Sequence, residues 1–142
     1  EAAKIVFESG IPITMAGLDV TDKALIMPDD IARERALGNP VSDIVAAWLE
    51  FFYQFHRSIG YAGAPMHDPC AVMVLLHPEI FTIKPMYVQI ETEGEYCRGT
   101  TVGDVLGFSG HAPNAEVLLN VDRDRFADLL VEALKFYGEV PA

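Results

Sequence analysis

Basic residues are scarce in this sequence, and they do not cluster. Lysine and arginine together number 10 against 21 aspartates and glutamates, which gives a net charge of −11. A surface that neutralises nucleic-acid phosphates needs grouped basic side chains, so binding to DNA or RNA is excluded as a function. The acidic excess makes a cation the more natural ligand.

Cysteines and long apolar runs are also lacking. Cys70 and Cys97 form no CxxC motif and are too few for a disulfide scaffold, which indicates a reducing, cytoplasmic location. No stretch of about 18 apolar residues is available to cross a membrane. Yet 51% of the 142 residues are hydrophobic, enough for the core of one soluble globular domain.

Loops that hold nucleotide phosphates are missing as well. The small-residue segment 60–65 lacks the Gly-Lys-Ser/Thr of a P-loop, and GxGxxG does not occur. His56, His77 and His111 have no zinc-type spacing with the cysteines. Nucleotide-phosphate binding and zinc binding are therefore disfavoured.

Helical and strand patterns occur together and predict an α/β fold. The predicted helices are residues 1–9, 28–37, 43–57, 69–76 and 123–137. The predicted strands are residues 11–20, 87–91 and 116–121, with residues 96–102 returning antiparallel to 87–91. Because α/β layering buries apolar strands together, we expect strands 11–20 and 116–121 to share one sheet, with helices packed on it.

The helix predicted at residues 43–57 carries an aromatic stripe. Apolar side chains recur at the spacing of one helix face: Ile44, Ala47, Trp48, Phe51, Phe52 and Phe55. The pattern predicts that this stripe packs in the core and that Ser42 caps the helix. A surface for base stacking is the less frequent use of such aromatics.

His67 and Asp68 are the strongest candidates for chemistry. They precede Pro69, which is favoured in the first turn of a helix, where unpaired N–H groups attract a carboxylate. Asp68 can cap a buried helix that starts at Pro69, beside a structural His67, or the two can form a functional pair that binds a ligand. The spacing alone leaves both interpretations open.

Residues 63–71, with the sequence GAPMHDPCA, resemble the C-terminal active-site motif of the inosine-uridine preferring nucleoside hydrolases. The chain looks most like the pyrimidine-preferring members from bacteria. The resemblance continues through residues 3–10, 17–21, 99–104, 113–115 and 121–138. It implies an α/β fold with a mostly parallel central sheet flanked by helices and an antiparallel hairpin.

The resemblance also implies a chemistry. Family members cleave the N-glycosidic bond of ribonucleosides with a bound Ca²⁺, and Asp68 matches one Ca²⁺ ligand. His67 matches the position beside the departing base, where a protonated imidazole can assist the leaving group. The implied partners are a small-molecule nucleoside and, as family members are commonly homo-oligomers, further copies of the chain. The local candidates for contacts to the base are Phe55, His56, Ile59 and Tyr61.

One departure from the family is clear. The Asp-x-Asp-x-x-x-Asp-Asp motif, which supplies the base and most metal ligands, does not occur in the 142 residues, nor does the ribose-binding Glu-Phe-Asn segment. We therefore expect residues 1–142 to be the C-terminal portion of a single hydrolase domain whose N-terminal catalytic half is absent. The complete enzyme is expected to hydrolyse uridine or cytidine, and this portion alone to be inactive. The alternative is a non-catalytic nucleoside-binding or assembly module.

Overall fold

The computed structural model describes residues 1–139. The helices in this part of the chain are α1 Ala2–Glu8, α2 Leu18–Thr21, α3 Pro28–Arg35, α4 Pro40–Ser58, α5 His67–Leu76 and α6 Arg123–Glu139. The strands are β1 Thr14–Met15, β2 Leu25–Ile26, β3 Ala64–Pro65, β4 Phe81–Met86, β5 Val88–Ile90, β6 Thr101–Gly103 and β7 Ala115–Val121. No helix in residues 1–139 is long and apolar enough to span a membrane.

β7 is the central strand of the main sheet, whose order is β1–β7–β4. It runs parallel to β1 and antiparallel to β4. The α/β class is confirmed, and so is the expectation that segments 11–20 and 116–121 share a sheet. We expected a mostly parallel sheet, but the sheet within residues 1–139 is mixed, because β4 runs against β7. No strand was predicted for β4, which contains Pro85; as an edge strand it tolerates the missing N–H.

Only part of the predicted strand 11–20 is a strand. β1 spans two residues, and after Gly17 the chain turns into α2, where the backbone N–H groups of Val20 and Thr21 both donate to the Gly17 carbonyl. Asp19 lies in the first turn of α2, where a carboxylate is favoured. The apolar run 11–20 is therefore divided between a strand and a helix. Its composition does not show where the strand ends and the helix begins.

The predicted hairpin is present but shorter. β5 pairs antiparallel with β6, Ile90 lying opposite Thr101. Residues 96–99, predicted as strand, form turns instead, closed by the backbone N–H groups of Gly99 and Thr100, which donate to the carbonyls of Glu91 and Cys97.

α4 confirms the helix predicted at 43–57, but it begins at Pro40 rather than behind Ser42. Asn39 is the capping residue: its side-chain oxygen accepts the backbone N–H groups of Val41 and Ser42 at 3.1 and 2.9 Å. The Ser42 hydroxyl accepts the Asn39 N–H in return. Asn39 caps because Pro40 is well suited to the first helical position.

The aromatic stripe of α4 does not pack in the core, contrary to our prediction. Trp48 is 69% exposed and Phe51 78% exposed. The buried face is instead that of Ala46, Leu49 and His56, which packs toward α3, β3 and α6. α4 has a second apolar row at helical spacing, residues 45, 49 and 53, so periodicity could not decide which face is inside.

α6 confirms the helix predicted at 123–137, and Asp122 caps it by accepting the Arg125 N–H at 3.0 Å. Its buried side includes Phe126, Leu129 and Leu134, whereas Tyr137 is exposed. Arg123 forms an ion pair with Asp30, which is buried, and donates to the Leu25 carbonyl. This pairing fastens α6 to both α3 and β2.

Glu34 is a buried carboxyl group without a hydrogen-bond partner among the described residues. Burial, with repulsion from Asp30, raises the pKa of Glu34 to about 7. The folded state therefore holds a proton that the unfolded chain releases near its ordinary pKa of 4.5. The resulting stabilisation is complete below that pH and is lost as the pH rises through about 7.

Replacing Glu34 with glutamine is expected to remove this loss. At about pH 8, Glu34→Gln should be more stable than the wild type by about 2–3 kcal/mol, since no charge is buried. At about pH 4.5 the two should unfold at similar urea concentrations. Urea titrations followed by circular dichroism at both pH values measure the difference, with Glu93→Gln, an exposed position, as the control. An equal gain at both pH values would contradict the assignment.

Candidate functional site

The candidate pair lies at the start of α5. His67 is the first helical residue, Asp68 the second, and Met66 occupies the N-cap position. The predicted cap at Asp68, with Pro69 first in the helix, is therefore wrong by two residues. Pro69 fits at the third position because the N–H it lacks would have no partner within the helix there either.

α5 also differs from the helix predicted to be buried on every side. Cys70 and Val74 are buried, whereas Leu75 and Leu76 are exposed. The Cys70 thiol donates to the Met66 carbonyl at 3.1 Å, and burial raises the pKa of this thiol to about 11. Cys70 is therefore a protonated structural group rather than a nucleophile.

Two very short strands hold the start of α5. β3 precedes it and pairs antiparallel with β2, Pro65 opposite Leu25. The Met66 N–H extends this contact by donating to the Ala24 carbonyl at 3.0 Å. Gly63 permits the close approach, because a Cβ atom there would lie 2.7 Å from the Ile26 carbonyl oxygen.

This pairing brings the end of α2 beside the start of α5. The Thr21 hydroxyl oxygen lies 2.8 Å from Nδ1 of His67, a hydrogen bond between residues 46 positions apart. Thr21 is buried and His67 half-buried. A hydrogen bond from a buried residue thus holds the ring of His67 on its interior side.

A groove of about 490 Å³ opens between α4 and the start of α5. Its α4 wall is apolar, with Trp48, Phe51 and Phe52 among the lining side chains, and His67 and Asp68 lie on the opposite wall. Flat apolar walls next to an imidazole and a carboxylate suit a ligand with an aromatic ring and polar substituents. The exposed stripe of α4 is therefore part of the candidate site.

A metal ion cannot be held by Asp68 alone. Ca²⁺ takes six to eight oxygen ligands, and within residues 1–139 no three His, Cys, Asp or Glu side chains form a group that could hold a metal ion. The exposed carboxylate of Asp68 suits one ligand position, but the described residues do not complete a site.

The other candidate residues lie at the far end of α4. His56 is buried, and its Nδ1 donates to the Phe52 carbonyl at 3.0 Å, so its ring is tied to its own helix. The rings of Phe52, Phe55 and Tyr61 lie 4.2, 5.1 and 5.3 Å from that of His56. Phe52 belongs to both this aromatic cluster and the groove.

Phe55, His56, Ile59 and Tyr61 are not among the residues that line the groove at His67. Phe55 and Ile59 are exposed. Repulsion from the carboxylate of Asp22, with a hydrogen bond to it and partial desolvation, raises the pKa of Tyr61 above its ordinary value. The proposed contact of these four residues with a base stays a prediction.

Sequence reasoning missed two parts of the site. Thr21 has no local signal, because its partner is 46 residues away. Trp48 and Phe51 belong to the aromatic stripe, which the sequence analysis assigned to the core. The second apolar row on α4 indicated that the stripe could instead be exposed.

Comparison with known proteins identifies the class of protein that this fold and site define. The model of the family "Inosine-uridine preferring nucleoside hydrolase" matches residues 1–128, and the chain belongs to this family. The pyrimidine-specific ribonucleoside hydrolase RihA of Salmonella schwarzengrund is 55% identical over 140 residues, 97% of this chain and 45% of that relative. RihA of Escherichia fergusonii matches equally, with 55% identity over the same shares.

Solved structures agree with the family. A purine-preferring ribonucleoside hydrolase from Gardnerella vaginalis superposes with a TM-score of 0.85 at 30% identity, over 99% of this chain and 45% of that one. A plant nucleoside hydrolase, PpNRh1, gives a TM-score of 0.81 at 26% identity, over 95% of this chain and 45% of its own. The chain thus spans about half the length of the relatives it matches.

Adding a methyl group at Gly63 is expected to disturb the site. In Gly63→Ala the new Cβ would meet the Ile26 carbonyl at 2.7 Å and Met27 Sδ at 2.9 Å, so β2 and β3 must separate. We expect a loss of about 1–3 kcal/mol in urea unfolding and a changed ring NMR signal of His67. Gly94→Ala is the control, because the nearest atom to its Cβ would be Cγ of the Glu91 side chain, at the larger distance of 3.3 Å. Equal stability of the two variants would refute the close-approach argument.

Proposed function

We propose that this chain contributes to the hydrolysis of the N-glycosidic bond of a ribonucleoside, which yields ribose and the free base. The observation that carries the proposal is the 55% identity, over 97% of this chain, with pyrimidine-specific ribonucleoside hydrolases. The same relatives support uridine or cytidine as the substrate. The groove beside His67 and Asp68 is where the nucleoside would bind.

His67 is the proposed proton donor to the leaving base. Water adds to the anomeric carbon of the ribose and gives up a proton to a carboxylate expected outside residues 1–142. The bond to the base nitrogen breaks with its electron pair on the base, and the base takes up a proton from the His67 imidazolium. The apolar wall of α4 supports this role, because Trp48 or Phe52 can stack on a base whose edge faces His67. The base would be contacted, or the α4 wall supported by packing, by four further residues: Phe55, His56, Ile59 and Tyr61. Phe52 connects them to the groove.

Asp68 is the proposed ligand to Ca²⁺. Its carboxylate provides the hard oxygen that this ion prefers, and it is exposed at the groove. Bound Ca²⁺ would supply a Lewis acid for water and ribose hydroxyls. The remaining ligands would have to come from outside the described residues.

We further propose that residues 1–142 form part of one nucleoside hydrolase domain. The support is that the same 45% share is covered in the relatives and in the solved structures. The complete enzyme would act in the cytoplasm as a homo-oligomer, on a small-molecule substrate.

The leading test uses a chimaera. In it, residues 1–142 replace the matching 45% of Salmonella schwarzengrund RihA, so that the other part of RihA supplies the rest of the enzyme. If His67 protonates the leaving base, His67→Ala in this chimaera should lower kcat on uridine by roughly 10²–10⁴-fold, with a much smaller change in KM. Nitrophenyl riboside, whose leaving group departs without a proton, should be cleaved almost normally. His111→Ala, an exposed histidine, is the control. Equal losses on both substrates would show that His67 does not act on the leaving group.

The 142-residue chain alone is expected to bind Ca²⁺ weakly and to leave uridine intact. It offers one proposed ligand and no cluster of three within the described residues. Isothermal titration calorimetry measures the binding. Tight stoichiometric binding that Asp68→Ala abolishes would overturn this expectation, because it would require a complete site in this chain.

A non-catalytic nucleoside-binding or assembly module is the second candidate. The exposed aromatic face of α4, with Trp48 and Phe51 open to solvent, favours it, since large exposed apolar patches commonly mark interaction surfaces. The chimaera distinguishes the two functions. Nucleoside binding without hydrolysis, unchanged by His67→Ala, would support the module over the enzyme.

A further inference from the structure

Thr21 is the one residue outside the groove lining that makes a described hydrogen bond to the His67 ring. It is 3% exposed, ends the short helix α2, and lies 2.8 Å from Nδ1 of His67. The family resemblance drew attention to His67 and Asp68, but gave no role to this threonine. A buried hydroxyl in contact with a half-buried imidazole can orient that ring.

The hydrogen-bond inventory of Thr21 indicates which group donates. Its hydroxyl oxygen also lies 3.4 Å from the Leu18 carbonyl oxygen, which can only accept. A hydroxyl has one hydrogen and two lone pairs. Both contacts are satisfied together only when the hydroxyl donates to Leu18 and accepts from Nδ1–H of His67.

This assignment has a consequence for the other ring nitrogen. With the proton held at Nδ1, Nε2 is the nitrogen that can exchange a proton with a ligand, and it lies on the side of the ring opposite Thr21. His67 is among the residues that line the groove. The hydrogen bond to Thr21 therefore occupies one ring nitrogen and leaves the other available to a ligand.

We propose that Thr21 is a positioning residue for His67: it fixes the ring orientation and keeps the Nδ1–H tautomer, so that Nε2 faces the substrate. The proposal rests on the proposed function in that His67 must meet a leaving base. Thr21 is placed to do this because β2 and β3 hold the ends of α2 and α5 together, Leu25 opposite Pro65.

Nitrogen-15 NMR of the histidine rings in the 142-residue chain tests the tautomer directly. At about pH 8.5, well above the ordinary histidine pKa of about 6.5, the wild-type His67 ring should carry its proton on Nδ1. Thr21→Val keeps the branched shape but removes the acceptor, so the ring should change toward the Nε2–H form. Thr21→Ser should restore the wild-type signal, and Thr101→Val, on exposed β6, should leave it unchanged.

Two NMR outcomes would overturn the proposal. One is a wild-type His67 ring protonated on Nε2, and the other is a Thr21→Val ring with the same tautomer as the wild type. His67→Gln identifies the signal among the four histidines. If Thr21→Val fails to fold, the proposal is still tested by the wild-type tautomer and by the Thr21→Ser signal, which must both show the proton on Nδ1.

Kinetics in the chimaera give the second readout. Thr21→Val should lower kcat on uridine by roughly 10–100-fold, the usual effect of losing an orienting partner, with little change in KM and near-normal cleavage of nitrophenyl riboside. Thr21→Ser should recover most of the activity. If His67→Ala itself spares uridine hydrolysis, the proposed role of His67 as proton donor fails, whereas the NMR result tests the orientation of the ring by Thr21 independently. Equal loss on both substrates in Thr21→Val would reject the positioning role.

Discussion

The pairing of β7 on both of its edges is the constraint from which the rest of the structure follows. An inner strand must satisfy its backbone groups on two sides, and β7 does so with β1 in parallel and β4 antiparallel. β1 leads through Gly17 into α2, and α5 leads through a 3₁₀ turn into β4. The two elements that carry Thr21 and His67 therefore reach the same region from opposite edges of one sheet.

The elements that sequence could predict are those with a single strong pattern. α6 and α4 have long 3.6-residue periodicity, and β7 contains the apolar run 117–119. The sequence-based predictions are wrong where one hydrophobic pattern is compatible with two different structures. Residues 11–20 are apolar enough for a strand, yet Gly17 permits a helix start. α4 has two apolar rows, and tertiary packing decides which of them is buried.

The candidate residues His67 and Asp68 could be selected from the sequence, but the contacts that hold them in place could not. His67 and Asp68 stand next to each other in a recognisable motif, so a local search finds them. The Thr21 contact crosses 46 residues, and the close approach at Gly63 depends on the carbonyl of Ile26. Both depend on the β2–β3 pairing, and strands of two residues are too short for a periodicity signal.

The fold of this chain is shared by relatives whose names give different base preferences. A relative described as purine-preferring shares the backbone of this chain at a TM-score of 0.85 with 30% identity, whereas relatives described as pyrimidine-specific share 55%. On the α4 side, the groove beside His67 is lined by Trp48, Phe51 and Phe52. Since these are exposed rather than core positions, they can change without the loss of stability that a core substitution causes.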